Sequence, residues 1–253
     1  MALLELKAAT IRFGGLVAVK ELGFAIEEGE LFGLIGPNGA GKTTVFNLIT
    51  GVYAPASGSI VFDGKPIQGR PPHRIAARGI ARTFQNIRLF GSMSVAENVQ
   101  VSTHMRIAHG LLGAVFRGRT FAREEEANRA KAMRLLELFQ LDKLAREPAS
   151  SLPYGSQRRL EIARALATEP RLLLLDEPAA GMNPQESAEL MRLIRRIRDE
   201  FKVSILLVEH NMKVVMGVCE RIQVMVHGEG IAMGAPGEIR KDPKVIEAYL
   251  GKE

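Results

Sequence analysis

Apolar residues recur along this chain in short bursts separated by polar turns, and the period of the bursts changes as the chain proceeds. From Leu3 to Ile26 they alternate closely enough to predict short strands, and Glu27-Glu28-Gly29-Glu30 reads as the turn before a buried strand, Leu31 to Ile35. That strand runs straight into glycines, and a helix opens near Lys42. Ser59 to Asp63 predicts another strand, with Asp63-Gly64 as its turn signal. Between about Ser94 and Ala167 the period becomes helical: across Ala127 to Phe139, the residues Ala130, Met133, Leu136 and Leu138 or Phe139 fall near one face with charges elsewhere. Two continuous apolar runs follow, Leu172 to Leu175 and Val203 to Val208, separated by a helical stretch from Pro184 to Phe201. Strands joined by so long a helix pair in parallel. The remainder offers a strand near Ile222 to Val226, a turn at Gly228-Glu229-Gly230 and a short helix from Pro243 to Leu250. No internal repeat, coiled coil or low-complexity tract interrupts this α/β pattern.

With 46% hydrophobic residues in 253, the chain can bury a large core, so disorder is excluded. Its apolar runs fall far short of the roughly 20 residues that cross a bilayer. Glu5 and Lys7 interrupt any secretory apolar stretch at the start, which predicts a cytoplasmic address. Cys219 is the only cysteine, so no intrachain disulfide can form and a buried thiol is expected. A net charge of +6 suits nucleic acid, an anionic membrane surface or a polyphosphate equally. The local cluster Arg117, Arg119 and Arg123 and the helically spaced Arg192, Arg195, Arg196 and Arg198 do not choose among them, and the second reads as a solvated helix face. DNA binding is disfavoured.

Gly36-Pro37-Asn38-Gly39-Ala40-Gly41-Lys42-Thr43 fits G-x-x-x-x-G-K-[ST] between a predicted strand and a predicted helix. Glycines let successive backbone N–H groups converge on phosphate oxygens, and the helix presents its positive end to the same anion. Lys42 should reach the β- and γ-phosphates and the Thr43 hydroxyl should coordinate magnesium. A second element agrees: the apolar strand Leu172 to Leu175 delivers Asp176 and Glu177 at its carboxyl end, where ligands of open α/β sheets sit. Asp176 is placed to hold magnesium, and Glu177 to orient and activate an attacking water.

With these residues in hand the sequence resembles the ABC ATPase family over essentially its whole length. The resemblance implies a P-loop NTPase core with a parallel sheet, an antiparallel β subdomain and a helical subdomain. Residues 1–89 and 168–253 would form the catalytic α/β core, and residues 90–167 the helical part. It implies that ATP and Mg2+ are bound, with Gly36 through Thr44 on the phosphates, Phe13 stacked on adenine, and Thr43, Gln85 and Asp176 on the metal. Gln85, in Arg82-Thr83-Phe84-Gln85, would also begin the segment facing the membrane subunits, which continues through Asn86 to Met93. His210, in Val208-Glu209-His210, matches the family's γ-phosphate histidine and joins Glu177 and Gln85 as the catalytic set.

The family's signature peptide stands as Leu152-Pro153-Tyr154-Gly155-Ser156-Gln157, a departure from leucine-serine-glycine-glycine-glutamine. In the family this peptide closes over ATP bound to the other subunit, so Tyr154, Gly155, Ser156 and Gln157 are expected at the partner's nucleotide. Pro153 offers neither hydroxyl nor N–H in the serine's place, which weakens that contact. Asn183 stands where the family often has aspartate and brings no charge. Together with Ile11-Arg12-Phe13-Gly14-Gly15, Asp176-Glu177-Pro178-Ala179-Ala180-Gly181, Glu209-His210-Asn211-Met212 and Ala248-Tyr249-Leu250-Gly251, these features are similar to the ATP-binding subunits of branched-chain amino-acid importers. Such systems imply a second, unlike ATP-binding subunit, two transmembrane permease subunits and a periplasmic or extracellular substrate-binding protein. The chain would then be peripheral, on the cytoplasmic face of a bacterial or archaeal plasma membrane. Urea, amides or lipid export are alternative cargoes. A soluble ABC ATPase acting on nucleic acid lacks the insertion it would need between Met93 and Ser151, and a non-hydrolysing nucleotide module sits poorly with Glu177 and His210.

Overall fold

A computed structural model describes residues 2–103 and 119–250. The expectations placed on Arg117 and Gly251 lie outside the described residues. The chain divides into two compact units, Met1–Gln85 with Arg171–Glu253, and Asn86–Pro170.

The first unit opens with β1 (Ala2–Phe13) and β2 (Leu16–Glu27), an antiparallel pair turned by Gly14-Gly15, followed by β3 (Leu31–Ile35), α1 (Lys42–Ile49), β4 (Ser57–Phe62), β5 (Lys65–Pro66), α2 (Pro72–Ala76) and β6 (Ile80–Arg82). The expected short strands between Leu3 and Ile26 are in fact two strands of 12 residues each. They read as short because bulges break the alternation: pairing shifts register between Leu6 and Ala9 and again after it, with Ala8 and Glu21 in the left-handed region at φ 48° and 46°.

The second unit holds α3 (Val95–Thr103), α4 (Arg119–Leu138) and α5 (Tyr154–Leu166), with α3 packed on both others. Its buried side chains include Val95, Val99, Leu135, Leu136, Phe139, Leu160 and Ala163. Here the predicted face needs correcting. The buried stripe of α4 is Ala132, Leu135 and Leu136, continuing to Phe139, while Ala130 is exposed and Met133 half-buried. Leu136 and Phe139 are buried as expected, and only the Ala130 end of the expected face is out of phase, because alanine's small apolar surface gives the periodicity little to lock onto.

The first unit resumes with β7 (Leu172–Asp176), α6 (Pro184–Phe201), β8 (Ser204–Val208), α7 (Met212–Val218), β9 (Arg221–Val226), β10 (Glu229–Gly234), α8 (Pro236–Ile239) and α9 (Pro243–Leu250). The turn expected at Gly228-Glu229-Gly230 instead lies at His227-Gly228, both left-handed at φ 47° and 83°, a pair of conformations that closes a two-residue hairpin. Glu229 and Gly230 belong to β10.

Two sheets result. One is antiparallel, in the order β2-β1-β4-β5; the other runs β10-β9-β3-β8-β7-β6 and is parallel except at its β10 edge. The strands β3, β7 and β8 are buried at every position, as a sheet covered on both faces requires. One core cluster joins Phe32, Leu34, Leu172, Leu174, Leu206 and Val208, alternate positions of those strands, to Leu4, Phe24 and Phe62 of the antiparallel sheet and to Val45, Phe46 and Ile49 of α1. The helix that follows the glycine-rich loop is therefore anchored by its apolar face while its amino end stays at the carboxyl edge of the sheet. Among the described residues, no helix is long and apolar enough to cross a membrane.

Candidate functional site

The loop between β3 and α1 is shaped by close approach. A side chain at Gly36 would meet the Met225 carbonyl at 2.1 Å, and one at Gly41, with φ 99°, would meet the Ala18 carbonyl at 2.5 Å. Gly41 occupies the cap position of α1 and no side chain bonds the helix's first N–H groups. Backbone N–H groups at an uncapped helix start are of the kind that suit an anion. Lys42 folds back over the loop, its Nζ donating to the carbonyls of Gly36 at 2.6 Å and Pro37 at 2.9 Å, and the residue is 7% exposed. Burial pulls its ammonium below the usual lysine range, and the carboxylates of Glu177 and Asp176 partly offset that. Thr43 points outward and is exposed.

A cleft of about 500 Å³ opens over this loop, lined among others by Phe13, Lys42, Thr43, Gln85, Glu177 and His227. Phe13 is 43% exposed and meets the Tyr53 ring edge-on, with centroids 5.1 Å apart. His227 was invisible in the sequence because its place depends on the hairpin turn after β9. The loop residues Asn38 to Thr44 line the same cleft.

At the end of β7 the two carboxylates diverge. Asp176 is buried and paired with Arg82, whose Nη2 donates to Oδ2 at 3.0 Å. Glu177 takes a left-handed backbone at φ 46°, unusual for a residue with a side chain, and that twist turns its carboxylate into the cleft. Gln85 Nε2 donates to Glu177 Oε2 at 3.0 Å, and Nδ1 of the exposed His210 lies 3.7 Å from the same oxygen. Gln85 and His210, far apart in sequence, thus meet at the Glu177 carboxylate. Next to His210, Glu209 is 1% exposed and accepts from the Ala179 N–H at 2.8 Å, which fastens the loop after β7 to the end of β8. Burial pushes its carboxyl above the usual carboxylate range, and the nearby Glu177 charge adds to that. Asn183 caps α6 reciprocally with Glu186, each side chain bonding the other's backbone N–H at 2.9 Å.

The signature residues belong to the second unit. Pro153 precedes α5 with φ −57° and ψ 152°, and no side chain caps this helix either. Tyr154 is 45% exposed, and Gly155, Ser156 and Gln157 form the first turn, with Gln157 Nε2 donating to the Leu152 carbonyl at 2.8 Å. Behind them Arg158 and Glu161 form a fully buried ion pair at 2.7 Å, and Glu161 Oε1 also accepts from the Arg88 N–H at 3.2 Å. Phe90 and Met93 are exposed on the same unit, with the Arg164 guanidinium 5.4 Å from the Phe90 ring centre.

Residues 19–180 match the family model described as ABC transporter, and residues 231–253 match that described as branched-chain amino acid ATP-binding cassette transporter. The chain is 48% identical over 250 residues to the high-affinity branched-chain amino acid transport ATP-binding protein BraF of Pseudomonas aeruginosa, covering 99% of this chain and 98% of that one. It is 46% identical, at the same coverage, to the corresponding protein LivG of Escherichia coli. A solved structure described as the ADP conformation of an ATP-binding cassette of an ABC transporter superposes with a TM-score of 0.86 at 30% identity, with all of both chains covered.

Proposed function

This chain belongs to the ABC transporter family, and on that premise we propose that it hydrolyses ATP to power the import of branched-chain amino acids. The observation that carries the reading at the site is the convergence on Glu177, which stands beside the phosphate loop with Gln85 at 3.0 Å and His210 at 3.7 Å.

In this reading Gly36 to Thr44 wrap the phosphates of ATP, Lys42 neutralises the β- and γ-phosphates, and Phe13 covers the adenine. Thr43, Gln85 and Asp176 offer oxygen donors alone, a set that suits magnesium, whose charge would neutralise the phosphates when bound. Glu177 takes a proton from water as the water oxygen bonds to the γ-phosphorus. The bond to the β,γ-bridging oxygen breaks, and ADP and phosphate remain. His210 contacts the γ-phosphate and senses its loss. Tyr154 to Gln157 contact ATP held by a second, unlike ATP-binding subunit; two permease subunits dock on the segment containing Phe90 and Met93, and a periplasmic or extracellular binding protein delivers the amino acid. The chain works at the cytoplasmic face of the plasma membrane.

The test separates binding from chemistry. Glu177→Gln keeps the side chain's shape and removes the base, so ATP affinity by calorimetry should stay near wild type. Phosphate release in the assembled importer should fall by about 100-fold or more, and leucine uptake into vesicles should stop with it. Turnover within about threefold of wild type, a barrier change under ~1 kcal/mol, would sink Glu177 as the base.

A further inference from the structure

Arg82 has no part in the reading above, yet its side chain is held on several sides. It ends β6, whose partner in the sheet is β7, with Arg82 opposite Leu174. From there the side chain crosses beneath the phosphate-loop helix. Its Nη1 donates to Asn47 Oδ1 of α1 at 2.7 Å and its Nη2 to Asp176 Oδ2 at 3.0 Å. The two ion-pair side chains are 9% and 5% exposed. The guanidinium carbon lies 5.2 Å from the ring centres of both Phe46 and Phe84, so the planar group is held between an aromatic of α1 and the residue immediately before Gln85. The Asp176 N–H in turn points to Thr83 Oγ1 at 3.4 Å.

A buried guanidinium is a poor choice for stability alone, because desolvation consumes what the ion pair returns. What the fork does supply is direction. Asn47 and the two rings fix the guanidinium plane, and the plane fixes the carboxylate that meets it. We propose that Arg82 is a positioning residue: it holds the Asp176 carboxylate in the orientation magnesium requires and ties that orientation to the Phe84-Gln85 turn. This rests on the reading of Asp176 as a magnesium residue. A group that orients a ligand from behind is worth about 10–100-fold in metal affinity.

The experiment measures ATP affinity by calorimetry with magnesium and with excess chelator, in the intact chain. Arg82→Lys keeps the charge and loses the fork. It should bind ATP like wild type in chelator and lose about 10-fold or more of the gain that magnesium confers. Asn47→Ala, which leaves the ion pair in place but frees its plane, should lose a smaller part of the same gain and provides a reading if Arg82→Lys folds poorly. In an Asp176→Asn background, Arg82→Lys should have no further effect on the magnesium gain. An unchanged magnesium gain in both single variants overturns the proposal, as does an equal loss of affinity with and without magnesium, the mark of a merely structural residue. If wild type itself gains nothing from magnesium, the metal reading of Asp176 falls, and Arg82 falls with it.

Discussion

Glu209 pairs two properties that pull against each other: its carboxylate is buried, and it must accept a hydrogen bond from the Ala179 N–H. Because burial raises its folded-state pKa above the ordinary 4.5, its favourable contribution is complete below that value and is lost as pH rises through the raised pKa. At neutral pH the group is therefore a liability to the fold. Glu209→Gln keeps an acceptor for Ala179 and removes the charge, so it should melt higher than wild type near pH 8, by roughly 2–4 °C, a shift that ~1 kcal/mol gives in a chain of this size. The gain should shrink as the pH is lowered toward about 5. Melting curves across that range check it; a difference that does not change with pH would mean that charge is not the cause. The placement of Lys42, Asp176 and Glu177 was legible in the sequence because it is set by a loop and a strand end. Glu209 and Arg82 were not, since their importance comes from burial against residues 30 and 94 positions away.

Elements show the same division. The stretch Pro184 to Phe201 was readable to the residue because proline at the start, an Asn183 cap and a regular apolar stripe all agree. The helix α5 was readable only as a helix, and its internal ion pair was not. Arg158 and Glu161 are 0% and 2% exposed, so neither tolerates loss of the other. Arg158→Met should cost ~3–5 kcal/mol by removing the cation paired with a buried carboxylate, whereas adding Glu161→Leu should restore much of that stability. Urea unfolding of the single and double variants reads both numbers. Additive losses would show that the pair contributes little as a pair. The bulged strands β1 and β2 failed to declare their length for a related reason: each bulge swaps the faces, so alternation, which carries the strand signal, is erased where the strand continues.

At the scale of the molecule, Pro153 shapes the expected assembly. Two copies of this chain would each present a proline with no hydroxyl, Pro153, at that position over both nucleotides, so the chain alone should remain monomeric with ATP. Pro153→Ser in a Glu177→Gln background should favour an ATP-dependent self-dimer by at most ~1.5–3 kcal/mol, the worth of a hydrogen bond to a charged group. Light scattering decides, and tight dimerisation of the Glu177→Gln parent would remove the argument. The order of the larger sheet has a consequence for how the protein is made. The strand that carries the phosphate loop, β3, lies between β8 and β9, both of which come from the last third of the chain. A ribosome adding residues at the usual rate needs about 10–30 s to travel from β3 to β8, and throughout that time an all-apolar strand has no partner in the sheet. The nascent chain therefore cannot bind ATP until translation is nearly over, and it calls for chaperone cover while it waits. Stalled nascent chains ending before Ser204 should fail to retain ATP, and those extending past Val226 with room to clear the exit tunnel should bind it.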